Sequence, residues 1–163
     1  MTEQRFTILS VEDSEADFLL LQKALDRVPN LLVELINVQD GQKASDFLHK
    51  RGNYKSAPSP NIIILDINLP KIDGFDILKI IKSNDDIKMI PVIIFSTSDS
   101  EKDIKESYQL NANTYITKTF DLEELYSKIT IVAEYWFKTA ELPPTSNFCF
   151  VNKSEDTTKK EEK

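Results

Sequence analysis

The chain has 163 residues, 40% of them hydrophobic and 29% charged, which is the length and composition of one soluble globular domain with an ordinary core. Its net charge of -7 argues against binding to nucleic acid, because that binding needs a basic face. A single cysteine, Cys149, and a single histidine, His49, exclude an internal disulfide framework and a cysteine-rich or histidine-rich metal site.

The chain begins MTEQRFTILSVED, without a basic segment, a long apolar stretch or a small-residue cleavage site. No run of about 18 apolar residues follows further along the chain. We therefore expect no membrane partner and a cytoplasmic location.

Five short apolar runs rich in β-branched residues recur along the chain, and each predicts a strand. In chain order they are FTILSV (6–11), LLVELINV (31–38), NIIILD (61–66), PVIIFS (91–96) and NTYIT (113–117). The third run is continuously apolar and does not alternate, which is typical of a central parallel strand covered on both faces.

The segments between these runs carry apolar residues three and four positions apart, a spacing that predicts helices. The positions are Phe18, Leu21, Leu25 and Val28, then Ile77, Ile80 and Ile81, then Leu122, Leu125, Ile129 and Val132. His49 falls late in the second helical segment, and we expect it to be a surface or packing residue. The repeated strand–helix order predicts an α/β fold, a doubly wound five-stranded parallel sheet with helices on both faces.

Polar residues follow four of the five strands. Glu12 and Asp13 come after the first strand, Asp66 and Asn68 after the third, Ser96 ends the fourth and Lys118 follows the fifth. Each alone has an ordinary structural explanation, such as capping a helix or starting a turn. Ligands in such sheets bind beyond the carboxyl ends of the strands, so the whole set is predicted to share one rim.

Three carboxylates crowded at one rim repel one another unless a cation or a raised pKa relieves them. Their oxygen atoms select a hard ion such as Mg²⁺, which uses one or two carboxylates with waters and a phosphate oxygen. A carboxylate beside bound Mg²⁺ can attack phosphorus to give an aspartyl phosphate. Lys118 and the Ser96 hydroxyl would then bind the remaining phosphoryl oxygens.

Four motifs in order resemble the receiver domains of two-component signalling, which have a flavodoxin-like fold. They are ILSVEDSEAD at the first strand, IIILDINLPKIDG after the third, PVIIFSTS at the fourth and YITKTF at the fifth. The resemblance covers roughly Phe6 to Leu142, and we expect a receiver domain over residues 1–142 with a tail over 143–163 whose distal part is disordered.

The resemblance implies a role for each motif residue. Asp66 is implied to be the phosphoacceptor and Asp13 a direct metal ligand, while Glu12 acts through a metal-bound water and Asn68 offers its backbone carbonyl. Ser96 and Lys118 complete the catalytic set, Ser96 and Tyr115 form the conformational switch, and Pro70 and Gly74 shape the loop after Asp66.

The implied function is that of a response regulator that accepts a phosphoryl group from a sensor histidine kinase, with Mg²⁺, and signals by a conformational change of its surface. It is implied to be no enzyme beyond self-catalysed phosphotransfer and autodephosphorylation. Within the family, VEDSEAD, the Lys–Thr step and WFKTAELP are similar to receiver-only regulators that partner phytochrome-type kinases.

Two positions depart from the family pattern. Thr119 replaces the proline that usually follows the lysine in a cis peptide, and a cis bond before a non-proline residue costs about 2.5–4 kcal/mol. We therefore expect a trans Lys118–Thr119 bond. Asn111 stands where a glycine is common, and asparagine tolerates a left-handed turn.

Three other functions are distinguished by particular residues of the chain. A phosphatase of the haloacid dehalogenase type needs a second acid two positions after its nucleophile, where this chain has Asn68. A nucleotide binder needs a phosphate loop after the first strand, where Glu12 and Asp13 would repel phosphate. A degenerate receiver that acts as a phosphorylation-independent binding module stays open, because Thr119 is unusual.

The last helix is predicted to run from Leu122 to Thr139 and carries three consecutive aromatic residues, Tyr135 to Phe137. Successive helical residues lie about 100° apart, so at least one of the three must face outward. Either the segment Phe148–Val151 covers it, or it contributes to a homodimer through the last helix and the face formed by the fourth helix, fifth strand and fifth helix.

Overall fold

The computed structural model describes residues 5–145. Cys149, the apolar segment 148–151 and the predicted disordered end of the tail lie outside the described residues. Within residues 5–145, no helix is long and apolar enough to cross a membrane.

The five predicted strands form one parallel sheet in the order β2-β1-β3-β4-β5. They are β1 (Arg5–Val11), β2 (Leu32–Val38), β3 (Ile62–Leu65), β4 (Val92–Ser96) and β5 (Thr114–Thr117). The strand order reverses between β1 and β3, so the crevice that binds ligands in such sheets lies beyond the carboxyl ends of these two strands.

In the described part of the chain, five α-helices alternate with the strands, and before each of them a capping side chain accepts a backbone N–H of the first turn. They are α1 (Glu15–Asp26), α2 (Gly41–Leu48), α3 (Gly74–Ser83), α4 (Glu101–Gln109) and α5 (Leu122–Glu134). The last helix was predicted to continue to residue 139, but its α-helical hydrogen bonds end at Glu134 and a π-helical turn follows, Tyr135–Thr139.

Hydrophobic residues pack on both faces of the sheet, as the continuously apolar β3 predicts. One cluster joins β3 to α2 and α3, and the other joins β1 to α1 and α5. Leu21, Leu25 and Ile129 are buried as expected, whereas Leu122 is 48% exposed because it is the first residue of its helix. The predicted α/β fold is therefore confirmed.

The backbone agrees with the two predictions made for the unusual positions. Among residues 5–145 there is no cis peptide bond, so the Lys118–Thr119 bond is trans. Asn111 has a φ of 66°, the left-handed conformation expected of it.

Gly74 begins α3 where the backbone passes very close to the segment after β3. A Cβ atom at this position would lie 2.4 Å from the Asp66 carbonyl oxygen and 2.4 Å from the Ile67 Cα. The Gly74 N–H also donates to the Ile67 carbonyl at 3.1 Å. The absence of a side chain here thus sets the path of the loop that follows Asp66.

Gly74→Ala is expected to lower the free energy of unfolding by about 3 kcal/mol, because the backbone atoms it would meet cannot move aside without distorting β3. Urea denaturation measures the loss. Gly52→Ala is the matched control, since Gly52 has a φ of 54° but nothing within 4 Å of an added Cβ, and about 1 kcal/mol is expected there. Equal losses in the two variants would contradict the role given to Gly74.

Candidate functional site

The functional side chains occupy the first positions beyond the strands, where sheet-type hydrogen bonds still hold the backbone. Glu12 N–H donates to the Val38 carbonyl at 3.0 Å, and Asp66 N–H donates to the Val11 carbonyl at 3.0 Å. Lys118 N–H donates to the Ser96 carbonyl at 2.7 Å. The predicted common rim is therefore present at the carboxyl ends of β1, β3, β4 and β5.

Lys118 lies at the centre of three carboxylates. Its Nζ is 2.6 Å from Glu12 Oε2, 2.8 Å from Asp17 Oδ2 and 3.0 Å from Asp66 Oδ2. Burial acts to lower the pKa of the Lys118 ammonium, but the hydrogen bonds and charges of Asp17, Glu12 and Asp66 outweigh it and raise the pKa above its usual value. These four residues are called the lysine cluster below.

Glu12 is the most constrained acid of the lysine cluster. Its side chain is buried, and burial raises the pKa of its carboxyl although Lys118 and the Ser14 N–H act to lower it. The Ser14 N–H donates to Glu12 Oε1 at 2.9 Å, so both carboxylate oxygens have partners. Burial of the Glu12 carboxyl thus outweighs the stabilisation of its charged form by Lys118 and Ser14.

A divalent metal ion fits the acidic group formed by Glu12, Asp13 and Asp66. One carboxylate oxygen from each lies within 4.8 Å of the other two, and Asp13 is exposed while the other two are buried. Hard oxygen donors with one side open to water match the preference of Mg²⁺ for a few carboxylates and several waters. The three acids that the sequence assigned to the metal are thus brought together.

Asn68 contacts the site through its amide groups. Its backbone N–H donates to Asp66 Oδ1 at 2.9 Å, and its side-chain Nδ2 donates to Ser96 Oγ at 3.2 Å. The side chain of Asn68 therefore joins the acceptor loop to the end of β4. Its predicted role as a carbonyl ligand of the metal stays a prediction.

Ser96 and Tyr115 are linked through one residue of the loop after β4. Ser96 is fully buried, and its Oγ accepts the Ser98 N–H at 3.3 Å. The Tyr115 hydroxyl donates to the Ser98 carbonyl at 2.8 Å, and burial raises the pKa of this phenol. Both predicted switch residues thus bind the same loop.

Two contacts at this rim were missed by sequence reasoning. Asp17, in the first turn of α1, looked like an ordinary acid at a helix start, yet it binds Lys118. Lys71 has a φ of 68°, and its Nζ lies 2.9 Å from Asp40 Oδ2, a pair that holds the pKa of the buried Asp40 carboxyl below its usual value. The Lys71–Asp40 pair ties the loop after Asp66 to the start of α2.

His49 lies outside this site. Its Nδ1 is 2.8 Å from the Ser45 carbonyl oxygen and its Nε2 is 3.1 Å from Asn84 Nδ2. These contacts join the end of α2 to the end of α3, as expected of a packing histidine.

An open groove of about 320 Å³ borders the lysine cluster. Asp17 and Lys118 line its polar end, and its other walls come from residues of α1, β4 and the start of α5, including Leu20, Phe95 and Leu125. The groove lies beside Lys118, whose side chain is only 8% exposed.

Comparison with known proteins gives a consistent result. The response regulator receiver domain family matches residues 8–130. Response regulator Rcp1 of Synechocystis sp. is 43% identical over 136 residues, which are 83% of this chain and 92% of Rcp1. The probable methanogenesis regulatory protein FilR2 of Methanothrix harundinacea is 33% identical over 82% of this chain and 85% of FilR2.

Solved structures agree with this match. The phosphorylated cyanobacterial phytochrome response regulator RcpA superimposes with a TM-score of 0.82 at 42% identity, covering 86% of this chain and all of RcpA. The Mn²⁺-bound form of Rcp1 superimposes with a TM-score of 0.80 at 42% identity, covering 85% of this chain and 99% of Rcp1. The fold is therefore shared with these relatives, one of which was crystallised with bound Mn²⁺.

Lys118→Met is expected to lower the free energy of unfolding by about 3 kcal/mol at neutral pH in metal-free buffer, because it leaves buried carboxylates without their cation. The pKa of Glu12 is already raised and should rise further, so the folded variant binds a proton more readily than the unfolded chain. Its stability deficit should therefore shrink as the pH falls toward 4.5, the ordinary pKa of glutamate.

Urea denaturation between neutral and mildly acidic pH measures this deficit. Lys128→Met is the control, because the Lys128–Glu124 pair is partly exposed and should contribute about 0.5 kcal/mol or less. A deficit that is as small as the control's and independent of pH would show that Lys118 does not neutralise these acids.

Proposed function

This chain belongs to the response regulator receiver family of two-component signalling, and we propose that it accepts a phosphoryl group on Asp66 from the phosphohistidine of a sensor kinase. The observation that carries the proposal is the contact of a buried aspartate with a lysine, beside two further carboxylates spaced for a metal ion. The receiver is assigned to residues 1–142 and the remainder, 143–163, to a tail.

In the proposed reaction a carboxylate oxygen of Asp66 attacks the phosphorus atom. The P–N bond to the donor imidazole breaks, and its electron pair leaves with the imidazole nitrogen, which then takes up a proton. Glu12, Asp13, Asp66 and the Asn68 carbonyl would hold Mg²⁺, which would supply positive charge beside the phosphoryl oxygens. Lys118 and Ser96 stabilise the remaining oxygens by donating hydrogen bonds.

The chain itself is proposed to catalyse this transfer and the later hydrolysis, and it acts on no other substrate. A degenerate receiver would have no need to keep Lys118 in contact with Asp66, and here their atoms lie 3.0 Å apart despite Thr119. This contact supports the active receiver over the phosphorylation-independent binding module.

A phytochrome-type histidine kinase is the proposed donor. The support is the 42% identity to the cyanobacterial phytochrome response regulator RcpA over nearly the whole receiver. Phosphorylation is proposed to draw Ser96 toward Asp66 and to move Tyr115, which changes the face formed by α4, β5 and α5.

A homodimer is the proposed means of transmitting this change. Of the three aromatic residues after α5, Trp136 and Phe137 pack against the hydrophobic cluster of β1, α1 and α5, whereas Tyr135 is 54% exposed. Ile131, four residues earlier and therefore on the same side of the helix, is 63% exposed. Exposed apolar side chains side by side are typical of a protein interface.

Asp66→Asn should abolish incorporation of phosphate from acetyl phosphate, because the amide is not a nucleophile and the variant keeps the shape of the site. Wild-type protein should form an acid-stable, base-labile acyl phosphate only when Mg²⁺ is added. Asp99→Asn is the control, since Asp99 is an exposed aspartate on the loop after β4 and should leave incorporation unchanged. Incorporation into Asp66→Asn at the wild-type rate would reject Asp66 as the acceptor.

Ile131→Glu should make the protein monomeric, because it places a charge in the proposed apolar contact. Sedimentation at micromolar concentration, with and without beryllofluoride as a phosphoryl mimic, measures the oligomeric state. Met89→Glu is the control, since Met89 is also exposed, at 48%, but lies in the loop before β4. A wild-type protein that stays monomeric in both conditions would rule out the dimer.

A further inference from the structure

Asp17 is a member of the lysine cluster that the proposed chemistry does not use. Its Oδ2 lies 2.8 Å from Lys118 Nζ, closer than the 3.0 Å that separates Lys118 from Asp66. An ammonium group has three hydrogens, and in the lysine cluster each has one carboxylate partner. Asp17 therefore takes one third of the hydrogen-bonding capacity of the lysine.

An acid in the first turn of a helix usually stabilises the helix start by capping a backbone N–H. The contacts of Asp17 show whether it has this role. Ser14 caps α1 by accepting the Asp17 N–H at 3.2 Å. In a capping box the acid at this position would accept the Ser14 N–H in return. Here the Ser14 N–H donates to Glu12 Oε1 instead, at 2.9 Å. The Asp17 carboxylate is thus displaced from its capping role and turned toward Lys118.

Of the three carboxylates around Lys118, Asp17 alone lies outside the acidic group that fits a metal ion. Glu12 and Asp66 belong to that group, and a bound divalent ion would compete with Lys118 for their oxygens. Of the three carboxylate contacts of Lys118, the one with Asp17 would not face this competition.

The chain after Lys118 provides little other restraint on the lysine side chain. The Lys118–Thr119 bond is trans, and Phe120 is fully exposed. The lysine backbone is held by β4, but its long side chain has four rotatable bonds between Cα and Nζ. A fixed partner for Nζ is therefore needed if the ammonium is to stay beside Asp66.

We propose that Asp17 is a positioning residue that holds the Lys118 ammonium over Asp66 while metal and phosphoryl groups bind. The proposal rests on the proposed phosphorylation of Asp66 and adds a residue to it. Asp17 touches neither the reacting oxygen of Asp66 nor a metal ligand in a hydrogen bond, so it acts through Lys118 alone.

The variant Asp17→Asn tests whether Asp17 positions Lys118 or acts only through its negative charge. The two roles predict opposite changes in the phosphorylation rate. Removing a negative charge beside an anionic donor should speed phosphorylation by acetyl phosphate, whereas loss of positioning should slow it. We expect a rate constant about tenfold below that of the wild type. Glu15→Gln is the matched control, since it removes the same charge from an exposed residue of the same helical turn. Asp17→Glu, which keeps the charge, should recover part of the rate.

A second measurement does not depend on phosphorylation. In protein with ¹⁵N-labelled lysine, the NH₃⁺ signal of Lys118 is identified by its absence from Lys118→Met. With Mg²⁺ present, the wild-type signal should persist because Asp17 still protects the ammonium from exchange with water. In Asp17→Asn with Mg²⁺, the signal should broaden or vanish, while in Glu15→Gln it should remain.

The outcomes are distinct. A rate for Asp17→Asn equal to or above that of Glu15→Gln would overturn the proposal, as would an unchanged Lys118 signal in Asp17→Asn. If the wild type took up no phosphate, the proposed function would fail, but the Lys118 signal would still decide whether Asp17 holds the lysine.

Discussion

The site depends on one ammonium group shared by three carboxylates. Glu12 and Asp66 are nearly buried, and burying charge without a partner is costly, so Lys118 must contact both. One ammonium cannot neutralise three carboxylates, so net negative charge remains at the rim although Lys118 Nζ lies 2.6 Å from Glu12 Oε2. The residual negative charge makes this rim favourable for a further cation, and the oxygens of Glu12, Asp13 and Asp66 are spaced to accept one. Lys118 and a divalent ion would therefore neutralise the charge of the same carboxylates.

Backbone hydrogen bonds set how precisely these charges can be placed. Glu12, Asp66 and Lys118 each stand just beyond a strand, and each donates its own N–H to the neighbouring strand. Their Cα positions are consequently fixed by the sheet, and only their side chains can adjust. The loop after Asp66 has more freedom, and it is restrained by the close packing of Gly74 and by the Lys71–Asp40 pair. The strand ends therefore hold the charged residues in place, while the loop after Asp66 keeps some freedom to change its conformation.

Sequence patterns predicted the sheet, the helices and the rim, because strand runs and helical spacing are local signals and parallel strands bring their carboxyl ends together. Sequence patterns could not reveal that Asp17 binds Lys118, since the two residues are 101 positions apart. An acid three residues after a capping serine is normally explained by its effect on the helix start. The Lys71–Asp40 pair was missed for the same reason, as both partners lie in connecting segments. The last helix ends at Thr139 as predicted, but the apolar pattern could not show that its final turn, Tyr135–Thr139, is π-helical.

Ser98 connects the buried Ser96 to Tyr115 through hydrogen bonds of its backbone. Its N–H donates to Ser96 Oγ, and its carbonyl accepts the Tyr115 hydroxyl at 2.8 Å, so one peptide segment serves both switch residues. In the proposed switch, movement of Ser96 Oγ toward a phosphoryl group on Asp66 would stretch the hydrogen bonds that it accepts from the Ser98 N–H and Asn68 Nδ2. A shift of Ser98 would alter the acceptor of the half-buried Tyr115, whose N–H also donates to the exposed Tyr108 hydroxyl at 3.2 Å. If Asp66 is phosphorylated as proposed, we expect this chain of hydrogen bonds to carry the change from Ser96 to the packing between β5 and α4.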